Sequence, residues 1–130
     1  FRLRLISVLL MQQDYTTALA QAQSYLEYEP SDSDLSLTLI WMVRAYISLG
    51  NVQDAERLFD RIKSSAYVSL PSWSLSWHLL SLAQLEDLRG QRDLAITTYS
   101  EILSMAESDY VNDIIVEAAR MGLVTPYRFN

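Results

Sequence analysis

Cysteine is absent from the 130 residues, and histidine occurs once, at His78. Without thiols there is no disulfide framework, no thiolate zinc site and no cysteine nucleophile. Glycine and proline contribute three residues each, which excludes collagen-like and low-complexity readings. Basic residues are in the minority: 10 Lys and Arg stand against 16 Asp and Glu, for a net charge of −6. Nucleic acid and anionic membranes both reward a basic face, so neither is expected as a partner. Long apolar runs are missing too. Residues 37–43 are followed by Arg44 and residues 5–11 are preceded by Arg4, and neither run approaches the ~18–20 apolar residues of a membrane span. No targeting segment is visible. The opening on Phe1 rather than Met reads as a fragment of a longer chain, expected in the cytoplasm.

What remains is a globular composition, half hydrophobic and one-fifth charged. The length suits one domain, residues 1–130, with a core that needs neither disulfide nor metal. Internal similarity organises that domain. Three stretches align on an alanine: Gln-Asp-Tyr-Thr-Thr-Ala-Leu at 13–19, Gly-Asn-Val-Gln-Asp-Ala-Glu at 50–56 and Gly-Gln-Arg-Asp-Leu-Ala-Ile at 90–96. Four residues after Ala18, Ala55 and Ala95 stand Ala22, Phe59 and Tyr99, and three further on Tyr25, Ile62 and Ile102. That spacing puts each trio on one helical face. Upstream of the alanines run further apolar stripes, Leu39, Met42, Val43 and Tyr46 in the second copy and Leu79, Leu82 and Ala83 in the third. Each copy is therefore expected to be an αα-hairpin. Gly50 and Gly90 fall where a helix ends in the left-handed conformation, Asn51 can cap the helix after it, and Pro30 closes the first unit.

These residues resemble the tetratricopeptide repeat, a helix–turn–helix unit of about 34 residues. Its pattern has a Gly before the second helix, an Ala five residues later, an aromatic four after that and a Pro near the end. Gly50, Ala55 and Phe59 match in the second copy, and Gly90, Ala95 and Tyr99 in the third. In the first copy Ala18 and Pro30 match, but Gln13 stands for the Gly and Ala22 for the aromatic. The resemblance implies an all-α superhelix with repeats at about 1–32, 36–65 and 75–105. The copies are spaced 37 and 40 residues apart, so 33–35 and 65–74 are expected as longer connections. Residues 108–123 are expected as a capping helix. Its inner side would carry Val111, Ile114, Ile115, Ala118 and Met121 or Gly122, its polar side Asp109, Asn112, Asp113, Glu117 and Arg120.

No catalytic constellation stands out, and the chain is read as a non-enzyme without cofactor or metal. His78 has Ser81 and Leu82 where a co-ligand would sit at helical spacing, and is expected to be a partly exposed helix residue. Asp32-Ser33-Asp34 has a superficial likeness to a calcium loop. Leu37 and Val43 stand where that loop needs Gly and Glu, so capping is the better reading. Glu86 and Asp87 are neighbours pointing about 100° apart, expected as solvated surface rather than an acid–base pair.

The resemblance further implies a concave groove lined by the first helix of each hairpin. Carried over, its positions are Leu3, Ser7 and Leu10; Leu37, Ile40, Arg44 and Ile47; and Trp77, Leu80, Gln84 and Asp87. Seven of these eleven are large and apolar. The Lys, Asn and Arg residues by which some relatives clamp a peptide's terminal carboxylate are missing. The expected partner is thus a protein, offering an amphipathic helix or apolar segment to anchors Ile40, Ile47, Trp77 and Leu80, with Arg44, Gln84 and Asp87 as polar points. The competing reading is that the strip is covered by the chain itself or by self-association. Two narrower readings are a small acidic chaperone of a bacterial secretion system and the C-terminal repeat region of a larger enzyme or trafficking subunit.

Overall fold

A computed structural model describes residues 2–28, 30–63 and 72–128. The described residues form seven helices and no strands: α1 (Arg2–Met11), α2 (Tyr15–Leu26), α3 (Asp32–Ser48), α4 (Val52–Lys63), α5 (Ser72–Leu88), α6 (Arg92–Ser108) and α7 (Asp113–Val124). The chain divides into two compact units, residues 1–69 and 70–130. In the first, α1 packs on α2 and α3, α2 on α3, and α3 on α4; in the second, α5 packs on α6 and α7, and α6 on α7. No helix among the described residues is long and apolar enough to cross a membrane.

The three hairpin turns share one backbone solution. Gly50 and Gly90 have φ of 79° and 74°, and Gln13, which replaces the glycine of the first copy, also has a positive φ of 62°. At each turn the left-handed residue's N–H bonds three residues back (Gln13 to Leu10, Gly50 to Ile47, Gly90 to Asp87). The next N–H reaches five back: Asp14 to Leu9 at 2.9 Å, Asn51 to Tyr46 at 2.8 Å and Gln91 to Glu86 at 2.8 Å. This paired closure satisfies the carbonyls that a helix end leaves open and turns the chain within three residues.

Side-chain caps start several helices. Asp14 accepts from the Thr17 N–H, Ser31 from the Asp34 N–H and Asn112 from the Ile114 N–H. Because Ser31 caps it, α3 begins at Asp32, and residues 33–35 lengthen the helix instead of forming a connection. Likewise α5 begins at Ser72, so 72–74 are helical, while 65–71 lie outside the described residues. Ser108 ends α6 rather than starting the last helix.

The alanine-centred faces form the interior as expected: Ala18 and Ala22, Ala55, Phe59 and Ile62, and Ala95, Tyr99 and Ile102 are all buried, and Tyr25 is half-buried. In the second unit these α6 residues meet Leu80 and Ala83 of α5, Val111 just before α7, and Ile115 and Ala119 of α7. The stripe on α5 is shifted from expectation, since Leu80, Ala83 and Leu85 are buried and Leu79 and Leu82 only half-buried. α7 is rotated as well. Val111, Ile115, Ala119 and Gly122 face inward, whereas Ile114 and Met121 are 65% and 63% exposed and share the outer side with Asp113, Glu117 and Arg120. The inward face brings Gly122 against the ring of Tyr99. A Cβ there would lie 2.3 Å from Cζ of Tyr99, so only glycine lets the helix backbone rest on the ring.

Candidate functional site

The eleven groove positions divide into three groups. Leu3, Ser7 and Leu10 on α1 and Leu37 and Arg44 on α3 are half-buried. Ile40 and Ile47 have no solvent exposure, so they are not open anchors in this chain. Residues 39–43 of α3 are an unbroken apolar run and all are buried, as a helix segment that is apolar on every side should be. In the second unit Trp77 is half-buried against the core, and Leu80 is a member of that core. Leu80 and Ala83 are three residues apart and therefore look the same way, toward α6 and α7, which closes Leu80 to a partner. Gln84 is buried.

Asp87 lies seven residues after Leu80, on the same side of α5 and just before the turn into α6. Its side chain is fully enclosed. Arg92 Nη1 donates to both carboxylate oxygens, at 3.0 and 3.1 Å. The Tyr99 hydroxyl donates to Oδ2 at 3.0 Å, and the backbone N–H of Tyr127 donates to the same oxygen at 2.9 Å. Arg92 then uses Nη2 on the carbonyls of Gly122 and Leu123, at 2.6 and 3.3 Å. One guanidinium thus joins the end of α5 to the last turn of α7, where open carbonyls and the helix dipole favour a cation. Burial, and then the bond to the Asp87 carboxylate and its charge, hold the Tyr99 hydroxyl above the ordinary phenol range and keep it a donor.

The neighbouring carboxylate is internal too. Glu86 is only 9% exposed and accepts a 2.6 Å bond from the Thr98 hydroxyl. Burial pushes its carboxyl above 4.5, against the opposing pull of the Thr98 bond. The expectation of a solvated Glu86–Asp87 pair is therefore corrected: both lie at the hairpin end, where side chains of α6 and, for Asp87, the Tyr127 N–H supply donors. His78 is corrected likewise, being 3% exposed rather than at the surface. One sequence signal for this network is Arg92 itself, since a cation at the first position of a helix opposes the dipole and asks for a partner elsewhere.

Beside this network an open cleft of about 750 Å³ is lined by Gln84, Tyr99, Met121, Val124, Pro126 and Tyr127, among others. Its lining is mainly apolar and belongs wholly to the second unit. The tail after α7 forms one wall.

A model of the tetratricopeptide repeat family matches residues 9–74, just over half of the chain. The chain belongs to the tetratricopeptide repeat family. The matched span runs from the end of α1 through α2, α3 and α4 to the start of α5. Beyond it, the α5–α6 hairpin repeats the same turn at Gly90 and the same buried Ala95 and Tyr99. No curated protein and no solved structure matches the chain. Tetratricopeptide repeats are protein-interaction modules, and this is the class of function that the family assigns.

Proposed function

We propose that this tetratricopeptide domain captures an apolar or amphipathic segment of a partner protein on the α1–α3 side of its first unit. The observation that carries the reading is the position of Leu3, Leu10 and Leu37. They stand on two helices that pack together, and they are neither enclosed nor bare. Leu5, Val8 and Met11 continue α1 outward at 36%, 41% and 79% exposure. A helix with apolar residues on both its packed and its outer sides is suited to a second apolar surface. Ser7 and Arg44 would set the polar rim.

The test is capture of the partner from its native extract, with quantitative mass spectrometry. Leu10→Asn combined with Leu37→Asn is expected to remove the captured protein while the chain still melts cooperatively. Ile40→Ala, by contrast, is expected to cost ~2–5 kcal/mol of stability as a core truncation. Undiminished capture by the double variant would refute this face. A second reading, coverage of the groove positions by the chain itself, is favoured by the burial of Leu80 and by the Tyr127 N–H on Asp87.

A further inference from the structure

The outer side of α7 is exposed and largely apolar. Ile114, Glu117, Met121 and Val124 follow one another at steps of three, four and three, so they form one stripe along the helix. All four are open to solvent, Val124 at 83%. The opposite side, through Ile115, Ala119 and Gly122, is taken up by the interior of the second unit. Steps of three and four are those of a seam along which one helix pairs with another. A single acid interrupts the apolar stripe, and a single base stands beside it. Within the helix Glu117 and Arg120 approach only to 3.8 Å with both side chains 65% exposed, a loose pair that leaves both groups reachable from outside.

We propose that this side of α7 pairs with the same side of a second copy, the two helices running antiparallel about a two-fold axis level with Ala119. The order of the charges selects that occupant and that direction. Counted from Ala119, Ile114 stands opposite the partner's Val124, and Glu117 comes within one residue of the level of the partner's Arg120. The two-fold repeats that pair on the other side of the axis, so each arginine lies between two glutamates. A parallel pair would instead set glutamate against glutamate and arginine against arginine, which like charge disfavours. A charged residue within an otherwise apolar seam fixes register and partner in this way. The area suffices as well. The exposed parts of Ile114, Glu117, Arg120, Met121 and Val124 offer roughly 600 Å² per copy, so a pair buries about 1,200 Å², the lower edge of a specific interface. The dimer is therefore weak and governed by chain concentration.

The test is sedimentation velocity of the full chain from ~1 to ~500 µM, where a weak dimer shows as a rising sedimentation coefficient. Met121→Asp places a carboxylate in the middle of the contact and is expected to raise the dissociation constant at least about ten-fold. Its melting at low concentration should match that of the unaltered chain, since Met121 is exposed. Glu117→Lys and Arg120→Glu are each expected to weaken self-association about ten-fold or more, by setting like charges across the axis. Mixed in equal amounts, the two variants regain opposite charges at both places and should pair about as tightly as the unaltered chain. A chain that stays monomeric throughout overturns the proposal and leaves the α7 face to another occupant. A dimer that survives Met121→Asp overturns it too, as does a mixture that associates no more tightly than its components. The proposal is independent of the α1–α3 reading, so Leu10→Asn combined with Leu37→Asn should leave the dimer unchanged. Loss of the dimer in that variant would overturn the proposal by moving the second copy to the α1–α3 face.

Discussion

Gly122 lies beneath the ring of Tyr99 so closely that a Cβ would fall 2.3 to 2.6 Å from three of its carbons. Alanine is the better helix former by ~1 kcal/mol, which alone would favour Gly122→Ala. Overpacking costs ~1–3 kcal/mol, and displacing the ring also strains the Tyr99 bond to Asp87, of a type worth ~1.5–3 kcal/mol. The steric side wins, and Gly122→Ala is expected to lower the melting temperature. Combining it with Tyr99→Leu should recover part of the loss, read as coupling in a double-mutant cycle. Independent, additive effects would refute the contact.

Gln13 offers the opposite experiment. It takes a left-handed conformation at the position where the other two hairpins have glycine. For a residue with a Cβ that costs ~1–2 kcal/mol, while glycine loses an extra ~0.5–1 kcal/mol of chain entropy on folding. Gln13→Gly is therefore expected to stabilise by less than ~1 kcal/mol, seen as a higher urea midpoint at unchanged slope. A lower midpoint would show that the Gln13 side chain contributes more than its strain.

The hairpins were legible because each one repeats a turn residue, a small residue and a 0, 4, 7 apolar spacing within about a dozen positions. Gln13 shows that the turn geometry survives loss of its usual residue when the surrounding helices demand it. The site was much less legible. α3 and α5 are apolar on more than one side, so spacing alone could not say which side a neighbouring helix takes, and Ile40, Ile47 and Leu80 went inward. Asp87 read as surface because its donors, Arg92, Tyr99 and Tyr127, come from the next helix and from 40 residues away. Adjacent charges tell nothing about such partners.

Ala55 and Ala95 are both fully buried in the small-residue position of their hairpins. Leucine at either site adds three heavy atoms to a closed interior, and each substitution is expected to cost ~1–3 kcal/mol. Because the two lie in separate units, the double variant should lose the sum of the single effects. Thermal or urea melts with no loss in either single variant would remove these alanines from the hairpin interior.

Glu86 predicts how stability depends on pH. Burial raises its carboxyl, Glu101 and Asp87 add to the rise, and the Thr98 bond and Arg89 oppose it. An acid whose folded value lies above its unfolded value binds more protons in the folded state across the interval between them. Stability then falls as pH rises through that interval, which starts near the ordinary value of 4.5. Above that interval the ionised side chain is a buried charge, and the Thr98 hydroxyl offsets part of its cost. Glu86→Gln keeps an oxygen to accept that bond and removes the charge. The variant is expected to be more stable than the unaltered chain at pH 7, with the advantage shrinking as pH falls through that interval. Urea unfolding of both proteins at several pH values between 4 and 7 measures this directly. A pH-independent difference would mean that packing around the Gln side chain, and not the buried charge, sets the effect. A loss of stability at pH 7 would mean that the ionised carboxylate is held favourably by Thr98.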